Sequence, residues 1–418
     1  MRALRRRRSR GAASLALWLA LSASALAAPR LVAVGDVHGD LPAFKAILAQ
    51  AGILDKDGAW AGGGDAILVQ MGDLIDRGPA MKATLDFAMA LEAQAPGKGG
   101  RAVFLLGNHE VMNMAGDLRY VAAENYAEFA DGESPKRRED AWNLVVELRK
   151  KRASLLGRPD PAVDAKAKEA WLAAHPLGYV EQREAFSPAG KYGRWLRAHA
   201  AAALVEDTVF LHGGIAPALA GTVEDLNRRV RDDLAAYDAD EQQFVAQGLI
   251  LPFFDLQETF KALHEELERM EAAGAAAKTS GKPVPPPDAA KDAARRKVYE
   301  RFLDWSRWTM NSEDGPLWFR GYGRWSDAEG LVEIPKLLSA AHAVRFVVGH
   351  TVQKDGRIVM RFDGTTFMID TGMLDGKFFP GGRASALEIS DGAVTAIYPG
   401  EEPQLLRAAP VRKAAALR

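Results

Sequence analysis

Five short segments of the chain share one pattern, in which an apolar run ends at a turn and polar side chains follow at once. They are LVAVGDVHGD (31–40), AILVQMGDLIDRG (66–78), AVFLLGNHE (102–110), DTVFLHGG (207–214) and AVRFVVGHT (343–351). Near-continuous apolar runs of this length predict buried strands that are covered on both faces. The polar residues fall just past the carboxyl end of each strand, which is where open α/β sheets place their ligands.

The segments between and after these strands complete the prediction of an α/β fold. LPAFKAILAQAG (41–52) and AMKATLDFAMALEAQ (80–94) have helical patterns, so the chain opens as a β-α-β-α-β series. Further along, RIVMRFDGTTFMIDTG (357–372) and ASALEISDGAVTAIYPG (384–400) alternate in polarity and predict antiparallel strands joined at Asp-Gly turns. Asp370, at the end of the first hairpin, is interpreted as a turn or cap residue.

Two long, charged helical stretches interrupt this series, at about residues 121–200 and 221–312. The second contains TSGKPVPPPDAA (279–290), a proline-rich stretch that predicts an exposed linker. With 418 residues, the chain is long enough for one large domain or two ordinary ones. We interpret both stretches as helical insertions in one domain over residues 28–400, followed by a C-terminal tail at 401–418. A separate second domain is the alternative.

The first 27 residues have the three-part pattern of a secretory signal peptide. MRALRRRRSR is basic, ASLALWLALSASAL is a short apolar run, and Ala-Leu-Ala at 25–27 fits a cleavage site after Ala27. The apolar run is shorter than the roughly 20 residues that span a bilayer, so we expect no stable membrane insertion. An uncleaved anchor helix is the alternative. The sequence therefore predicts export, and the arginine run leaves the choice between the Sec and twin-arginine routes open.

Cysteine content and net charge limit which cellular compartment and which binding partners the sequence predicts. The chain has no cysteine, so an exported form has neither disulfides nor the lipidated cysteine of a lipoprotein. Removing residues 1–27, which hold six arginines and no acidic residue, takes the net charge from −1 to −7. A mildly acidic protein gives no support to nucleic-acid binding through bulk charge. We therefore expect a periplasmic or secreted protein that binds no nucleic acid.

The polar residues at the five strand ends form a set of metal-competent side chains: Asp36, His38, Asp73, Asn108, His212 and His350. Any one of these motifs alone is more often a turn, a cap or a buried structural histidine. Their occurrence together, each after a predicted strand, predicts a metal site. Oxygen and imidazole ligands without thiolate suit manganese, iron or zinc, and a bridging carboxylate is the usual way to hold two ions about 3.5–4 Å apart.

In their order along the chain, GDVHGD, GDLIDRG, GNHE, HGG and GHT resemble the motif set of the calcineurin-like metallophosphoesterases, specifically the phosphoprotein phosphatase branch. PLWFRGYG (316–323) and MIDTGM (368–373) are similar to segments of the bacterial-type Shewanella-like phosphatases. The resemblance implies a β-sandwich of mixed sheets flanked by helices. It is close over about residues 31–120 and 200–220 and looser over 316–390, and it leaves out the N-terminus and both insertions.

Carried over by residue, the family pattern implies two metal ions. One ion is held by Asp36, His38 and Asp73, and the second by the bridging Asp73 together with Asn108, His212 and His350. Such a site keeps positive charge for a phosphate dianion, because one shared carboxylate is combined with neutral ligands. The implied reaction is direct attack of a metal-bridging hydroxide on phosphorus, without a phosphoenzyme.

Residues outside the metal set also have implied roles. Arg77, in GDLIDRG, and Arg320, in PLWFRG, are candidates to bind the substrate phosphate, because a planar guanidinium matches two phosphate oxygens. His109 is the candidate general acid that protonates the leaving oxygen, and Asp76 is the carboxylate that orients it. Glu110 is interpreted as a residue without direct chemistry, which either starts a helix or supports the ligands from behind.

The sequence thus predicts a metal-dependent phosphomonoesterase of the protein phosphatase type, acting on a phosphorylated protein or a small phosphomonoester. The alternative enzyme is a symmetrical diadenosine tetraphosphate hydrolase, which shares the ligand motifs but typically lacks the DRG-E combination present here. An alternative of another class is a catalytically silent protein that binds metal or phosphate on the same scaffold. Such proteins lose ligands, whereas every expected ligand is present in this chain.

Overall fold

The structure is a computed structural model that describes residues 28–159, 163–280, 286–374, 376 and 378–409. The predicted signal peptide, residues 1–27, lies outside the described residues, and so do residues 410–418 of the predicted tail.

The described residues form two mixed β-sheets. In chain order the strands are β1 (Arg30–Val34), β2 (Ala66–Gln70), β3 (Arg101–Phe104), β4 (Ala202–Val205), β5 (Thr208–Leu211), β6 (Arg345–Val348), β7 (Val359–Arg361), β8 (Thr366–Met368), β9 (Ala386–Ser390), β10 (Ala393–Ile397) and β11 (Gln404–Arg407). The first sheet has the order β11-β10-β9-β1-β2-β3 and the second has the order β4-β5-β6-β8-β7. Within them, β1-β2-β3 and β5-β6-β8 are the parallel sets.

Helices cover the sheets and form the two insertions. They are α1 (Leu41–Gln50), α2 (Met81–Gln94), α3 (Asn108–Met114), α4 (Ala123–Phe129), α5 (Ser134–Leu155), α6 (Ala165–Ala174), α7 (Tyr179–Phe186), α8 (Lys191–Arg197), α9 (Val223–Ala246), α10 (Leu256–Ser280), α11 (Pro286–Leu303), α12 (Gly321–Arg324) and α13 (Asp327–Ala340). The predicted insertion at 121–200 holds α4 to α8, and the one at 221–312 holds α9 to α11. In the described part of the chain, no helix combines the length and apolarity needed to cross a bilayer.

The central strands are buried on both faces, as their apolar runs predict. Leu31 and Ala33 of β1 pack between the two sheets together with Phe210 of β5, whereas Val32 and Val34 face the helices. Burial of each large aliphatic side chain contributes roughly 1.5–3 kcal/mol. The alternation along β1 therefore holds its own sheet against the helices on one face and against the second sheet on the other. The predicted α/β fold, a sandwich of mixed sheets flanked by helices, is confirmed.

The structure adds two features to the prediction for the C-terminal part. First, β8 pairs with β7 as a hairpin but also lies parallel to β6, with Phe346 opposite Thr366. Second, residues 404–407, which the sequence analysis places in a tail, form the edge strand β11 against β10. A short and largely exposed edge strand carries little apolar signal, which explains why the pattern did not indicate it.

Candidate metal centre

The structure brings the six predicted ligands together at one edge of the sandwich. Asp36 and His38 follow β1, Asp73 follows β2, Asn108 begins α3 after β3, His212 follows β5, and His350 follows β6. They are only 0% to 5% exposed. Because the parallel strands of both sheets end at this edge, side chains that are more than 300 residues apart in sequence become neighbours.

Asp73 is the centre of the cluster. Its Oδ2 lies 3.3 Å from Nε2 of His212 and 3.8 Å from Nε2 of both His38 and His109. Two groups of donor atoms share this carboxylate, and within each group all atoms lie within 4.8 Å of one another. The groups are His38, Asp73 and His109, and Asp73, His212 and His350. This arrangement suits a carboxylate that bridges two ions.

The imidazoles are oriented for binding a metal through Nε2. Nδ1 of His38 lies 3.1 Å from the carbonyl oxygen of Ile75, and Nδ1 of His212 lies 2.9 Å from that of Met71. A carbonyl can only accept, so Nδ1 is the donor in both residues, and Nε2 is the nitrogen left to face a metal ion. Nε2 of His350 is buried and has no hydrogen-bond partner among the described residues. These donors therefore fit a metal ion of the kind the sequence predicts.

The electrostatics of the metal-free protein also fit a cation. Burial opposes ionisation of Asp73, but the imidazoles of His212 and His109 hold its pKa well below its usual range. Burial likewise opposes the charge on His212, yet the carboxylates of Asp73 and Asp36 outweigh it and raise the pKa to about 9. Burial lowers the pKa of His350 well below its usual range. The protonated His212 thus supplies positive charge that a bound ion would replace.

The backbone at the site is held in an unusual conformation. Five of its residues that are not glycine have positive φ angles, namely His38 (49°), Asp73 (54°), Asp76 (69°), Arg77 (67°) and His350 (61°). Each such residue costs on the order of 1 kcal/mol or more and persists only where the surroundings enforce it. Strain of this kind clusters at functional sites, which supports a functional role for this edge.

Glu110 enforces part of this backbone conformation. Its buried carboxylate accepts hydrogen bonds from the backbone N–H groups of Asp73 (2.7 Å), Leu74 (2.8 Å) and Gly107 (2.8 Å). Burial, and then the Asp73 carboxylate, raise its pKa to about 7. The loops meet so closely that a Cβ on Gly72 would lie 2.3 Å from the Gly107 nitrogen. Glu110 therefore ties the loops after β2 and β3 together, which is the supporting role that the sequence left open beside a helix start.

His109 and Asp76 form the pair that the sequence predicts, with Nδ1 of His109 2.7 Å from Oδ2 of Asp76. The pair is part of a longer chain of buried hydrogen bonds. The Asn113 amide donates to both Asp76 oxygens, at 2.9 and 3.0 Å, and Gln182 of α7 donates to Asn113 at 2.8 Å. Asn113 follows His109 by four residues on α3, and this spacing is the signal that could have revealed it.

Both predicted phosphate-binding arginines border the cluster. Arg77 Nη1 lies 2.7 Å from Nε2 of His38, and its guanidinium lies 5.2 Å from the ring centroids of Tyr120 and of Phe379. Arg320 donates from Nη1 to the carbonyl oxygen of His350 at 2.6 Å. The guanidinium groups thus reach the donor cluster from two different segments. The two aromatic residues that flank Arg77 were not identified from the sequence.

Asp370 is more than the turn residue that the sequence analysis describes. Its Oδ1 accepts the N–H of Gly372 at 3.0 Å, as a turn residue would. The residue is only 1% exposed, however, and lies beside Asp36 at the edge of the sandwich that holds the six predicted ligands, here called the metal-competent edge. Burial raises the pKa of Asp370 to about 6, and burial together with Asp370 raises that of Asp36 well above its usual range. The sequence signal was present, because FMIDTG is an apolar run that ends in an acidic residue and glycine.

Comparison with known proteins agrees with this geometry. Residues 29–247 match the family model of the calcineurin-like phosphoesterases, which is more than half of the chain. The chain belongs to this family. It is therefore a phosphoesterase, a hydrolase of a family that implies divalent metal ions. The resemblance found in the motifs is confirmed.

Two curated relatives match about half of the chain. Shewanella-like protein phosphatase 2 of Arabidopsis thaliana is 34% identical over 209 residues, which are 48% of this chain and 51% of the plant protein. The symmetrical bis(5'-nucleosyl)-tetraphosphatase of Aromatoleum aromaticum is 28% identical over 210 residues, or 50% of this chain and 62% of that protein. The chain thus spans only about half to two thirds of these relatives.

A solved structure covers nearly the whole chain. The cold-active protein-tyrosine phosphatase of a psychrophilic Shewanella species superposes with a TM-score of 0.54 over 91% of this chain and 80% of that one. At 21% sequence identity, this likeness shows a shared fold and no more.

Proposed function

We propose that this chain is an exported phosphomonoesterase that binds two metal ions and removes phosphate from phosphorylated proteins. The observation that carries the proposal is the convergence of six buried candidate ligands, from five strand ends of two sheets, on one edge of the sandwich with Asp73 at the centre. The name of the Arabidopsis relative supports the protein phosphatase assignment.

Two ions would share Asp73, which lies in both groups of neighbouring donor atoms. Asp36 and His38 would complete one ligand set, and Asn108, His212 and His350 would complete the other. When bound, the two ions supply an activated water and the positive charge that balances the phosphoryl oxygens. Arg77 and Arg320 bind the substrate phosphate from the two sides of the cluster, since each presents a guanidinium at its border.

His109 donates the proton that the leaving oxygen requires. Its Nδ1 is committed to Asp76, so Nε2 is the atom that faces the cluster, 3.8 Å from Asp73 Oδ2. Asn113 fixes the Asp76 carboxylate, which in turn fixes the plane of the imidazole. An acid that is held in place in this way contributes typically 10²- to 10⁴-fold to the rate.

The first experiment compares Asp73→Asn with Asp140→Asn. Asp140 lies on the exposed face of α5, where Lys136 is its ion-pair partner among the described residues, so it is a matched control. We expect the Asp73 variant to lose bound manganese and most hydrolysis of p-nitrophenyl phosphate, whereas the Asp140 variant keeps both. Equal metal content and activity in the two variants would show that Asp73 is not the bridging ligand.

A substrate panel on the mature protein tests the reaction class. We expect metal-dependent release of phosphate from phosphotyrosine or phosphoserine and phosphothreonine peptides to exceed cleavage of diadenosine tetraphosphate. Faster cleavage of the dinucleotide would favour the tetraphosphatase activity named for the Aromatoleum relative. Metal binding without turnover of any of these compounds would favour a silent binding protein.

Export is tested by the mass of the protein after expression in a Gram-negative host. We expect the mature protein in the periplasmic fraction, beginning at Ala28. A full-length chain that remains with the membrane fraction would favour the uncleaved anchor instead.

A further inference from the structure

The parallel strands of the sandwich contribute a sixth strand end that the metal site, as described so far, does not use. β8 is parallel to β6, so its carboxyl end lies at the same edge as the predicted ligands. Asp370 follows the last residue of β8 by two positions, and Asp36 and His350 follow the last residues of β1 and β6 by the same number. The topology therefore places Asp370 where the other strands place their ligands.

The carboxylate of Asp370 is buried, and only one of its two oxygens has a hydrogen-bond partner among the described residues. Oδ1 accepts the Gly372 N–H, while Oδ2 has no hydrogen-bond partner among the described residues. The Asp36 carboxyl is close enough that it and Asp370 affect each other's pKa. The two loops are in direct contact, because a Cβ on Gly35 would lie 2.6 Å from the carbonyl oxygen of Ile369. The position of Asp370 next to Asp36 is thus set by the packing of two strand ends.

Two buried carboxylates side by side need a positive partner. Without one, burial of each charge is strongly unfavourable, and a proton shared between the two satisfies only one oxygen of each. The Arg320 guanidinium donates to the carbonyl of His350 and, among the described residues, forms no ion pair with either carboxylate. His212 lies 3.3 Å from Asp73 Oδ2 and 3.9 Å from Asp36 Oδ1, so it serves those two carboxylates, and it forms no ion pair with Asp370 in the described part of the chain. A metal ion beside Asp36 is the group that would balance the negative charge of the Asp370 carboxylate.

We propose that Asp370 is a further anionic group of the metal centre, which strengthens binding of the ion held by Asp36, either as a ligand or through one water. This inference rests on the two-metal centre of the proposed function. It adds a third carboxylate to Asp36 and Asp73, so two divalent ions retain one positive charge at the site instead of two.

The test is Asp370→Asn in the mature protein, titrated with manganese chloride by calorimetry and checked for metal content by mass spectrometry. Asn keeps an oxygen that can accept the Gly372 N–H but removes the charge. We expect at least a tenfold loss of affinity for one of two manganese ions. The melting temperature of the metal-free variant should not fall below that of the wild type, because a like charge beside Asp36 is gone.

Thr371→Val is the matched control for the turn. The Thr371 hydroxyl donates to the Arg383 carbonyl at 2.7 Å and contacts Ser385 at 2.8 Å, so this variant disturbs the turn and keeps the Asp370 charge. Wild-type affinity in Asp370→Asn, or an equal loss in Thr371→Val, would overturn the inference. Absence of manganese binding in the wild type would instead overturn the metal centre itself. Asp370→Ser gives the same readout if the Asn variant does not fold.

Discussion

The metal-competent edge of the sandwich and the helical layer formed by α4 to α11 are stabilised in opposite ways. At the edge, buried charged and polar groups hold strained loops in place, as Glu110 does for the loops after β2 and β3. In the helical layer, aromatic rings pack against one another: Phe302 lies 4.8 Å from Tyr237 and 5.0 Å from Phe244, measured between centroids. Apolar burial stabilises the layer whatever ions are present.

The two regions meet at α3. Gln182 of α7 donates to the side chain of Asn113, and Arg183 donates to its backbone carbonyl at 3.0 Å. The helical layer therefore supports the residue that holds Asp76 without contributing a metal donor. Because the two regions are stabilised by different interactions, we expect metal occupancy and folding stability to respond to different substitutions.

The largest effect is expected for His109→Ala. The variant should keep close to the wild-type amount of metal but lose about 10²- to 10⁴-fold in kcat on alkyl phosphates. The loss should be smaller on p-nitrophenyl phosphate, whose leaving group needs no proton. Metal analysis together with kcat on both substrates checks this. Loss of an ion would instead make His109 a ligand, since it lies in one of the two donor groups.

Phe302→Ala should destabilise the helical layer and leave the metal centre unchanged. Phe302 is fully buried among aromatic rings, so the cavity should lower the free energy of unfolding by about 3–5 kcal/mol. Denaturant unfolding measures the loss, and manganese stoichiometry in the folded variant should remain that of the wild type. Leu144→Ala, at a position on α5 that is 46% exposed, is the control and should change little. A loss of bound metal at full folding would show that the two regions are coupled.

The affinity of the candidate metal centre for manganese should rise with pH. In the metal-free protein the pKa of His212 is raised to about 9, so it holds a proton at pH 7.5 that an ion must displace. Between pH 7.5 and 8.5, above the pKa of Asp370 at about 6 and of Glu110 at about 7, loss of the His212 proton alone should increase affinity about tenfold. Any proton on Asp36, whose pKa burial raises well above its usual range, adds to this increase. Calorimetry in two buffers should show at least one proton released per protein. No proton release would contradict a protonated His212.

The smallest effect is expected for Phe379→Ala. Phe379 and Tyr120 flank the Arg77 guanidinium, and loss of one ring should let Arg77 adopt other orientations. We expect KM for p-nitrophenyl phosphate to rise a few-fold with little change in kcat. Phe87→Ala removes a similar cation–ring contact, with Lys45 at 4.9 Å, away from the site and should leave KM unchanged. A large fall in kcat for Phe379→Ala would mean that the ring also positions the metal cluster.

Local patterns in the sequence were enough to predict several strands, the first helices and the polar residues that follow the strands. An apolar run followed by a turn and a polar residue is such a pattern, so β1, β2, β3, β5 and β6 and the candidate ligands after them could be identified. The pairing of His109 with Asp76 also followed, although only through the resemblance of the motifs.

Which strand ends belong to the same sheet, and which further side chains lie beside them, could be seen only in the three-dimensional structure. That β8 is parallel to β6 depends on a pairing that its own hairpin pattern does not contain, and this pairing moves Asp370 from a turn to a buried place next to Asp36. Likewise, Gln182 reaches Asn113 because α7 packs on α3. Such contacts depend on long-range packing, and the positive φ angles at the site persist because that packing and its hydrogen bonds enforce them.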